Sequence, residues 1–187
     1  MNYYADTKDA PLSELFRQAN IKNDNKLMAF SDYSWKYCTC TGISTVSYII
    51  LYQGVPIDHV THVPGPISQS SAESEYNAAC NAGMALAHLR MLIHELLNKD
   101  PDIVPEEASI NILDINSAVF MDNNGKNTKH TEHRPRRVGF VRNGEKCKIH
   151  KIEWCEGGLQ LAYIATKNVG ENDLNPRMEY VLVRLEN

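Results

Sequence analysis

Residues 27–32 read Leu-Met-Ala-Phe-Ser-Asp, a short apolar run that ends on an acid. Two further acids have similar settings: Asp114 closes the apolar run 109–113, and Glu75 lies within the stretch 70–78, Ser-Ser-Ala-Glu-Ser-Glu-Tyr-Asn-Ala. Buried strands that end on acids gather negative charge at one sheet edge, and clustered carboxylates repel one another unless cations neutralise them. The three acids therefore predict a divalent metal site of the kind used in two-metal phosphoryl transfer.

Hydrophobic periodicity along the chain predicts a mixed α/β order. Gln53-Gly54 is expected to turn the second strand into the third, and Pro56 should keep that third strand at a sheet edge. Met84, Met91 and Leu92 of the long helix are expected in the core. The predicted elements are strands at 27–32, 45–52, 55–60, 109–114 and 149–155, a long helix at 72–98, a short helix at 117–122, a basic helix interrupted by Pro135, and a closing helix at 160–168.

The long helix offers two candidate acids near its start. Ser70 and Glu73 have the spacing of a capping box, which gives Glu73 a local role at the helix N-terminus. Glu75 lies about 200° around the helix from Glu73 and lines up with Ala79 and Leu86, so it should lean toward the sheet. We therefore choose Glu75 as the site residue, with Glu73 as the alternative.

The segments that carry these acids resemble the ribonuclease H domain that follows reverse transcriptase in copia-type LTR retrotransposons. That family reads approximately S-D-x-x-W, T-G-x-S-T, S-S-x-E-A-E-Y, D-N-x-S-A, T-K-H and Q-L-A-D-I-x-T-K. The matching segments of this chain follow the same order and span about residues 26–167: Ser31-Asp-Tyr-Ser-Trp35, Thr41-Gly-Ile-Ser-Thr45, Ser70-Ser-Ala-Glu-Ser-Glu-Tyr76, Asp114-Ile-Asn-Ser-Ala118, Thr128-Lys-His130 and Gln160-Leu-Ala-Tyr-Ile-Ala-Thr-Lys167.

The resemblance implies an α/β, ribonuclease H-like domain over residues 26–187, with a five-stranded mixed sheet flanked by helices and its first three strands antiparallel. Residues 1–25 would then be the tail of a connection from an upstream polymerase region. The implied activity is cleavage of the RNA strand of RNA/DNA hybrids during reverse transcription. Asp32, Glu75 and Asp114 would be the catalytic residues and would hold two Mg²⁺ ions, with Mn²⁺ as a substitute. The implied partners are the hybrid and the upstream reverse transcriptase domain.

One departure from the family pattern concerns the fourth metal-site Asp, which falls on Tyr163. A phenol is neutral at pH 7 and is a poor ligand for Mg²⁺. Glu156, which follows the last predicted strand, is a candidate replacement. Tyr163 leaves a second interpretation open, in which the chain is a catalytically impaired remnant that binds nucleic acid or only folds.

A basic stretch lies between residues 126 and 151, although the net charge of the chain is −4. It holds nearly half of the cationic residues of the chain and is opposed there only by Glu132 and Glu145. It could be a solvated helix face, but beside an acidic site it is expected to contact phosphates without reading bases. The residues expected to bind nucleic acid are Lys129, Arg134, Arg136, Arg137 and Arg142.

Other features set the expected compartment and the weaker alternatives. Five scattered cysteines without a signal peptide indicate reduced thiols in the cytoplasm or the nucleus, and not a secreted protein. The resemblance implies virus-like particles as the cytoplasmic location. No apolar run approaches the roughly 20 residues that span a bilayer, so no membrane partner is expected. Two weaker alternatives are His130 as a proton shuttle and a zinc site formed by Cys38, Cys40, His59 and His62.

Overall fold

The computed structural model describes residues 27–34, 44–64, 71–98, 107–114, 135–155 and 157–167. The strands in these residues are β1 (Leu27–Ser34), β2 (Thr45–Tyr52), β3 (Val55–His62), β4 (Ser109–Leu113) and β5 (His150–Trp154). The helices are α1 (Ser71–Asn98), α2 (Pro135–Lys146) and two short 3₁₀ helices, Gly157–Leu159 and Leu161–Ala165. The expected tail at 1–25 and the short helix at 117–122 lie outside the described residues.

The five strands form one mixed sheet in the order β3-β2-β1-β4-β5. Strands β1, β2 and β3 pair antiparallel, whereas β4 is parallel to β1 and β5 is parallel to β4. This arrangement confirms the five-stranded mixed sheet, with its first three strands antiparallel, that was predicted from the sequence. Gln53 and Gly54 form the β2–β3 turn with φ of 51° and 77°, and Pro56 lies on the edge strand β3. Because β1 is central and β4 runs parallel beside it, the C-terminal ends of both strands meet at one edge.

Alternation along the strands separates two apolar layers. Ala29 and Ile50 pack with Leu86 of α1 on one face of the sheet. Phe30 and Ile112 pack with Leu161 of the second 3₁₀ helix on the other face. The sheet is therefore covered on one side by α1 and on the other by the segment after β5.

Helix α2 lies close to α1 because two glycines leave room for a ring between them. His150, the first residue of β5, is fully buried. A Cβ built on Gly83 of α1 would lie 2.9 Å from Cε1 of His150, and one built on Gly144 of α2 would overlap the same ring. Only residues without a side chain allow this approach.

Polar contacts fasten the same helices. Arg90 of α1 donates hydrogen bonds to the carbonyls of Lys148 and Ile149, just after α2. Near the other end of α2, Arg137 donates to the Asn77 side chain of α1.

Two expectations about these elements are wrong, and a third extends beyond the described residues. Pro135 is the first described residue of α2, a helix position that does not need an N–H donor, and the part of the expected basic helix before it lies outside the described residues. The expected closing helix at 160–168 is the 3₁₀ helix Leu161–Ala165, which Gln160 caps by accepting a hydrogen bond from the Ala162 N–H. The three apolar residues expected in the core lie opposite the sheet-facing row of α1: Met84, Met91 and Leu92 are 50%, 41% and 42% exposed. No helix in the described parts of the chain has both the length and the apolar character needed to span a membrane.

Candidate functional site

The three acids chosen from the sequence come together at one edge of the sheet. One carboxylate oxygen from each of Asp32, Glu75 and Asp114 lies within 4.8 Å of the other two. Asp32 lies on the central strand and is fully buried, Asp114 follows β4 directly, and Glu75 lies in the second turn of α1. The runner-up, Glu73, is buried but is not part of this group in the described structure.

A buried glutamine sets the distance between the two strands that carry the aspartates. Nε2 of Gln160 donates to the carbonyl of Ser31 at 3.1 Å and to the carbonyl of Ile112 at 3.2 Å. These carbonyls lie one residue before Asp32 and two residues before Asp114, so one side chain ties β1 and β4 to the segment after β5. The sequence motif contains Gln160, but no spacing rule indicated this positioning role.

A second buried polar contact fixes α1 against the sheet. The hydroxyl of Ser31 donates to Oδ1 of Asn111 at 3.0 Å, and Nδ2 of Asn111 donates to the carbonyl of Ala79 at 3.0 Å. This chain of bonds joins β1, β4 and α1 about one helical turn beyond Glu75. It therefore helps to hold the Glu75 carboxylate over the ends of the strands.

The electrostatics of the cluster favour a cation. Burial, followed by the charges of Asp32 and Asp114, raises the pKa of Glu75 well above its ordinary value, while the charge of Lys167 lowers it. Burial and the charge of Asp32 also raise the pKa of Asp114, against the opposing effects of Lys167 and a backbone hydrogen bond. Oε2 of Glu75 is buried and has no hydrogen-bond partner. Three hard oxygen donors, one of them unsatisfied, fit Mg²⁺ or Mn²⁺.

Tyr163, the position at which the sequence resemblance led us to expect an acid, lies beside a positive charge. The Lys167 ammonium lies 3.5 Å from Oδ1 of Asp32 and 4.0 Å from the centroid of the Tyr163 ring. The hydroxyl of Thr166 donates to Oδ2 of Asp32. The Thr-Lys pair was visible in the last sequence motif, but its contact with Asp32 was not foreseen. Glu156, the proposed replacement acid, lies outside the described residues.

The basic residues are divided between two roles. Arg136 of α2 is exposed and Arg142 is half-buried, so both are available at the surface. Arg137 instead donates its hydrogen bond to Asn77, which ties α2 to α1. Lys129 and Arg134 lie outside the described residues.

The proposed proton shuttle and the proposed zinc site lie largely outside the described residues. His130, Cys38 and Cys40 lie outside the described part of the chain. His59 and His62 are three positions apart on β3, so their side chains project from opposite faces of the strand. Among the described cysteines, Cys80, Cys147 and Cys155 are free. Burial, with the charges of Asp114 and Asp32, raises the pKa of Cys155 to about 12, so this thiol is a core group and not a nucleophile.

Comparisons with known proteins find similarity among solved structures. No protein-family model matches the chain, and no curated protein matches it. Among solved structures, the chain is similar to the N-terminal RNase H domain of a Mycobacterium tuberculosis protein, solved as a fusion with maltose-binding protein. The two chains are 9% identical with a TM-score of 0.45, and the match covers 83% of this chain and 98% of that one. A functional assignment therefore depends on the carboxylate site and on the sequence motifs.

Proposed function

We propose that the chain is the ribonuclease H of a copia-type retrotransposon, which cleaves the RNA strand of RNA/DNA hybrids during reverse transcription. The observation that carries this proposal is the group formed by Asp32, Glu75 and Asp114, whose carboxylate oxygens lie within 4.8 Å of one another. The order of the six sequence motifs supports the retrotransposon assignment.

In the proposed mechanism, Asp32, Glu75 and Asp114 hold two Mg²⁺ ions. When bound, such ions activate water and stabilise the leaving oxygen of a phosphodiester. The chain contributes fixed positions: Asp32 is held by the central strand, and Gln160 keeps the β1 and β4 ends at a constant separation. Burial of Asp32 and Glu75 keeps bulk water from competing for their oxygens. The expected products carry a 3′-hydroxyl and a 5′-phosphate.

Substrate binding is assigned to the basic stretch. Arg136 and Arg142 of α2, together with Lys129 and Arg134, are proposed to grip the phosphate backbone. Choice of the RNA strand is expected to depend on contacts with 2′-hydroxyls, which only RNA offers. In this proposal, residues 26–187 are the nuclease domain, residues 1–25 connect it to a reverse transcriptase, and the protein works in cytoplasmic virus-like particles or in the nucleus.

The proposal is tested by substrate discrimination. The purified chain is incubated with a labelled RNA/DNA hybrid, and with double-stranded RNA and DNA of the same sequence, in Mg²⁺ or Mn²⁺. We expect cleavage of the RNA strand of the hybrid alone. A folded chain that cuts none of the three in either ion, or cuts DNA equally well, contradicts the proposal.

A second candidate, an impaired remnant that binds hybrids without cutting them, is favoured by Tyr163 and Lys167 at the position of the fourth acid. Under the nuclease proposal, Tyr163→Asp should increase Mg²⁺-dependent cleavage, because it adds a hard anionic oxygen beside the cluster. Tyr163→Phe keeps the ring under Lys167 and should match the parent. If the parent and the folded Asp variant both bind the hybrid but neither cleaves it, the remnant is the better description.

A further inference from the structure

Lys167 has contacts that a solvated surface lysine does not make. Its side chain is only 22% exposed, and its ammonium lies 3.5 Å from the fully buried Oδ1 of Asp32. The same ammonium lies 4.0 Å from the centroid of the Tyr163 ring, within the range of a cation–π interaction. Two different partners therefore hold one positive charge against the acidic cluster.

The backbone before Lys167 directs it to this place. The N–H groups of Thr166 and Lys167 both donate to the carbonyl of Tyr163, at 3.2 Å and 3.1 Å. This tight turn follows the 3₁₀ helix and brings the Thr166 hydroxyl to Oδ2 of Asp32 and the Lys167 ammonium to Oδ1. Both oxygens of Asp32 thus have a partner from the same two residues.

The position of Lys167 also affects the other two acids. Its ammonium contacts Asp32, and a carboxylate oxygen of Asp32 lies within 4.8 Å of one oxygen of Glu75 and one of Asp114. The positive charge of Lys167 is therefore close to the whole cluster. In the described structure, the positive charge of Lys167 faces three carboxylates.

We propose that Lys167 is a built-in counterion of the carboxylate cluster, which competes with divalent cations for Asp32 and must move away when a cation binds there. The inference rests on the proposed function only in taking this cluster as the cation site. In the absence of a divalent ion, Lys167 offsets the repulsion among the acids. When the ion enters, the same ammonium opposes it, so the chain requires a higher concentration of Mg²⁺ or Mn²⁺.

The test measures binding of Mn²⁺ alone, by calorimetry on the full chain without nucleic acid. Lys167→Met should bind Mn²⁺ about tenfold more tightly or better, because a unit positive charge beside Asp32 repels an incoming divalent ion even through water. Lys167→Arg keeps the charge and should bind like the parent. Lys151→Met is the matched control: it makes the same change in net charge at an exposed residue that pairs with Glu153.

A second measurement, thermal unfolding with and without Mn²⁺, keeps the test valid if Lys167→Met is less stable than the parent. Without its counterion, Lys167→Met should melt at a lower temperature in chelator. It should gain more from Mn²⁺ than the parent does, since at a given concentration a ligand of the folded state stabilises more when it binds more tightly. The inference would be overturned if Lys167→Met and the parent bound Mn²⁺ with equal affinity, or if no variant bound Mn²⁺. It would also be overturned if Lys151→Met or Lys167→Arg gained as much Mn²⁺ affinity as Lys167→Met. Failure of hybrid cleavage with tightened Mn²⁺ binding would instead count against the proposed function alone.

Discussion

At the scale of single residues, the burial of Glu75 beside two other acids has an electrostatic cost. Its carboxylate is buried, faces two other acids and has one oxygen without a hydrogen-bond partner. A group in this setting favours the protonated form when no divalent ion is present. The residue most suited to holding a cation is therefore a source of instability in the ion-free protein.

This cost predicts the behaviour of Glu75→Gln. The pKa of Glu75 is raised in the folded state, so its contribution to stability is greatest below the ordinary value of 4.5 and is lost as the pH rises above it. In chelator, Glu75→Gln should therefore melt at a higher temperature than the parent at pH 7, and the difference should shrink toward pH 4.5. Thermal unfolding of both proteins across this pH range measures the effect.

Glu73→Gln provides the matched control for that experiment. Glu73 is also buried near the start of α1 but is not part of the carboxylate group. Its substitution should leave intact the rise in melting temperature that Mn²⁺ produces, whereas Glu75→Gln should abolish it. If Glu73→Gln abolished this rise and Glu75→Gln kept it, Glu73 and not Glu75 would be the cation ligand.

At the scale of elements, the approach of α2 to α1 depends on glycine. Gly139 and Gly144 are both in α2, but a Cβ at Gly139 would meet nothing within 4 Å, while one at Gly144 would overlap the His150 ring. His150 is fully buried and lies beside Gly83 of α1, so little space is left for the ring to move away from α2. Alanine at Gly139 would therefore change only helix propensity, whereas alanine at Gly144 would also introduce a steric clash.

Alanine substitution at these two positions should have opposite effects. Gly144→Ala should lower the free energy of unfolding by about 1–3 kcal/mol, the usual cost of overpacking a core. Gly139→Ala should raise it by roughly 0.5–1 kcal/mol, since alanine favours the helix more than glycine does. Denaturant unfolding of both variants measures the difference, and a stable Gly144→Ala protein would mean that α2 packs differently.

The same helix is predicted to bind the hybrid through its surface arginines. Replacing Arg136 and Arg142 with Ala should weaken hybrid binding and reduce the slope of log affinity against log salt by about one unit per lost phosphate contact. Stability should change little, because neither residue is fully buried. Binding is followed by fluorescence anisotropy at several salt concentrations.

Arg137→Ala separates structure from binding within that stretch. Because Arg137 donates to Asn77, its loss should lower the free energy of unfolding by about 1.5–3 kcal/mol. An unchanged salt slope in the Arg136 and Arg142 variant would instead assign the basic stretch to the solvated helix face.

The elements could be predicted from the sequence to different degrees. Strands β1 to β4 were predictable because their apolar residues alternate or run continuously between turn signals, and Gln53-Gly54 marked the hairpin. The segment at 160–168 has helical periodicity, yet Gln160 bonds to two strands and fixes a tighter 3₁₀ turn. Periodicity does not report such tertiary contacts.

The candidate site likewise has residues that the sequence predicted and a contact that it did not. The three acids were predictable because each lies in or directly after an element whose pattern was readable, so their meeting followed from topology. The contact of Lys167 with Asp32 was not predictable. It joins residues 135 positions apart through a local turn that the sequence pattern does not specify.

At the scale of the whole molecule, the fold brings distant parts of the chain to one edge of the sheet. The central strand supplies Asp32, its parallel neighbour leads to Asp114, the start of α1 supplies Glu75, and the last described segment supplies Lys167. The apolar layers on both faces hold these elements in place, so the repulsion among the acids is contained by the core. The central claim is that this edge is a divalent-cation site used for RNA cleavage.

The measurement that tests this claim most directly compares Asp32→Asn with the parent in cleavage of an RNA/DNA hybrid, in Mg²⁺ and in Mn²⁺. Asp58→Asn, which alters an acid on the edge strand β3 beside Tyr48, is the control for the loss of one carboxylate. Folding of each variant is verified by its melting temperature. The account predicts divalent-dependent cleavage by the parent and by Asp58→Asn, and only background cleavage by Asp32→Asn. Retained divalent-dependent cleavage by Asp32→Asn would contradict it.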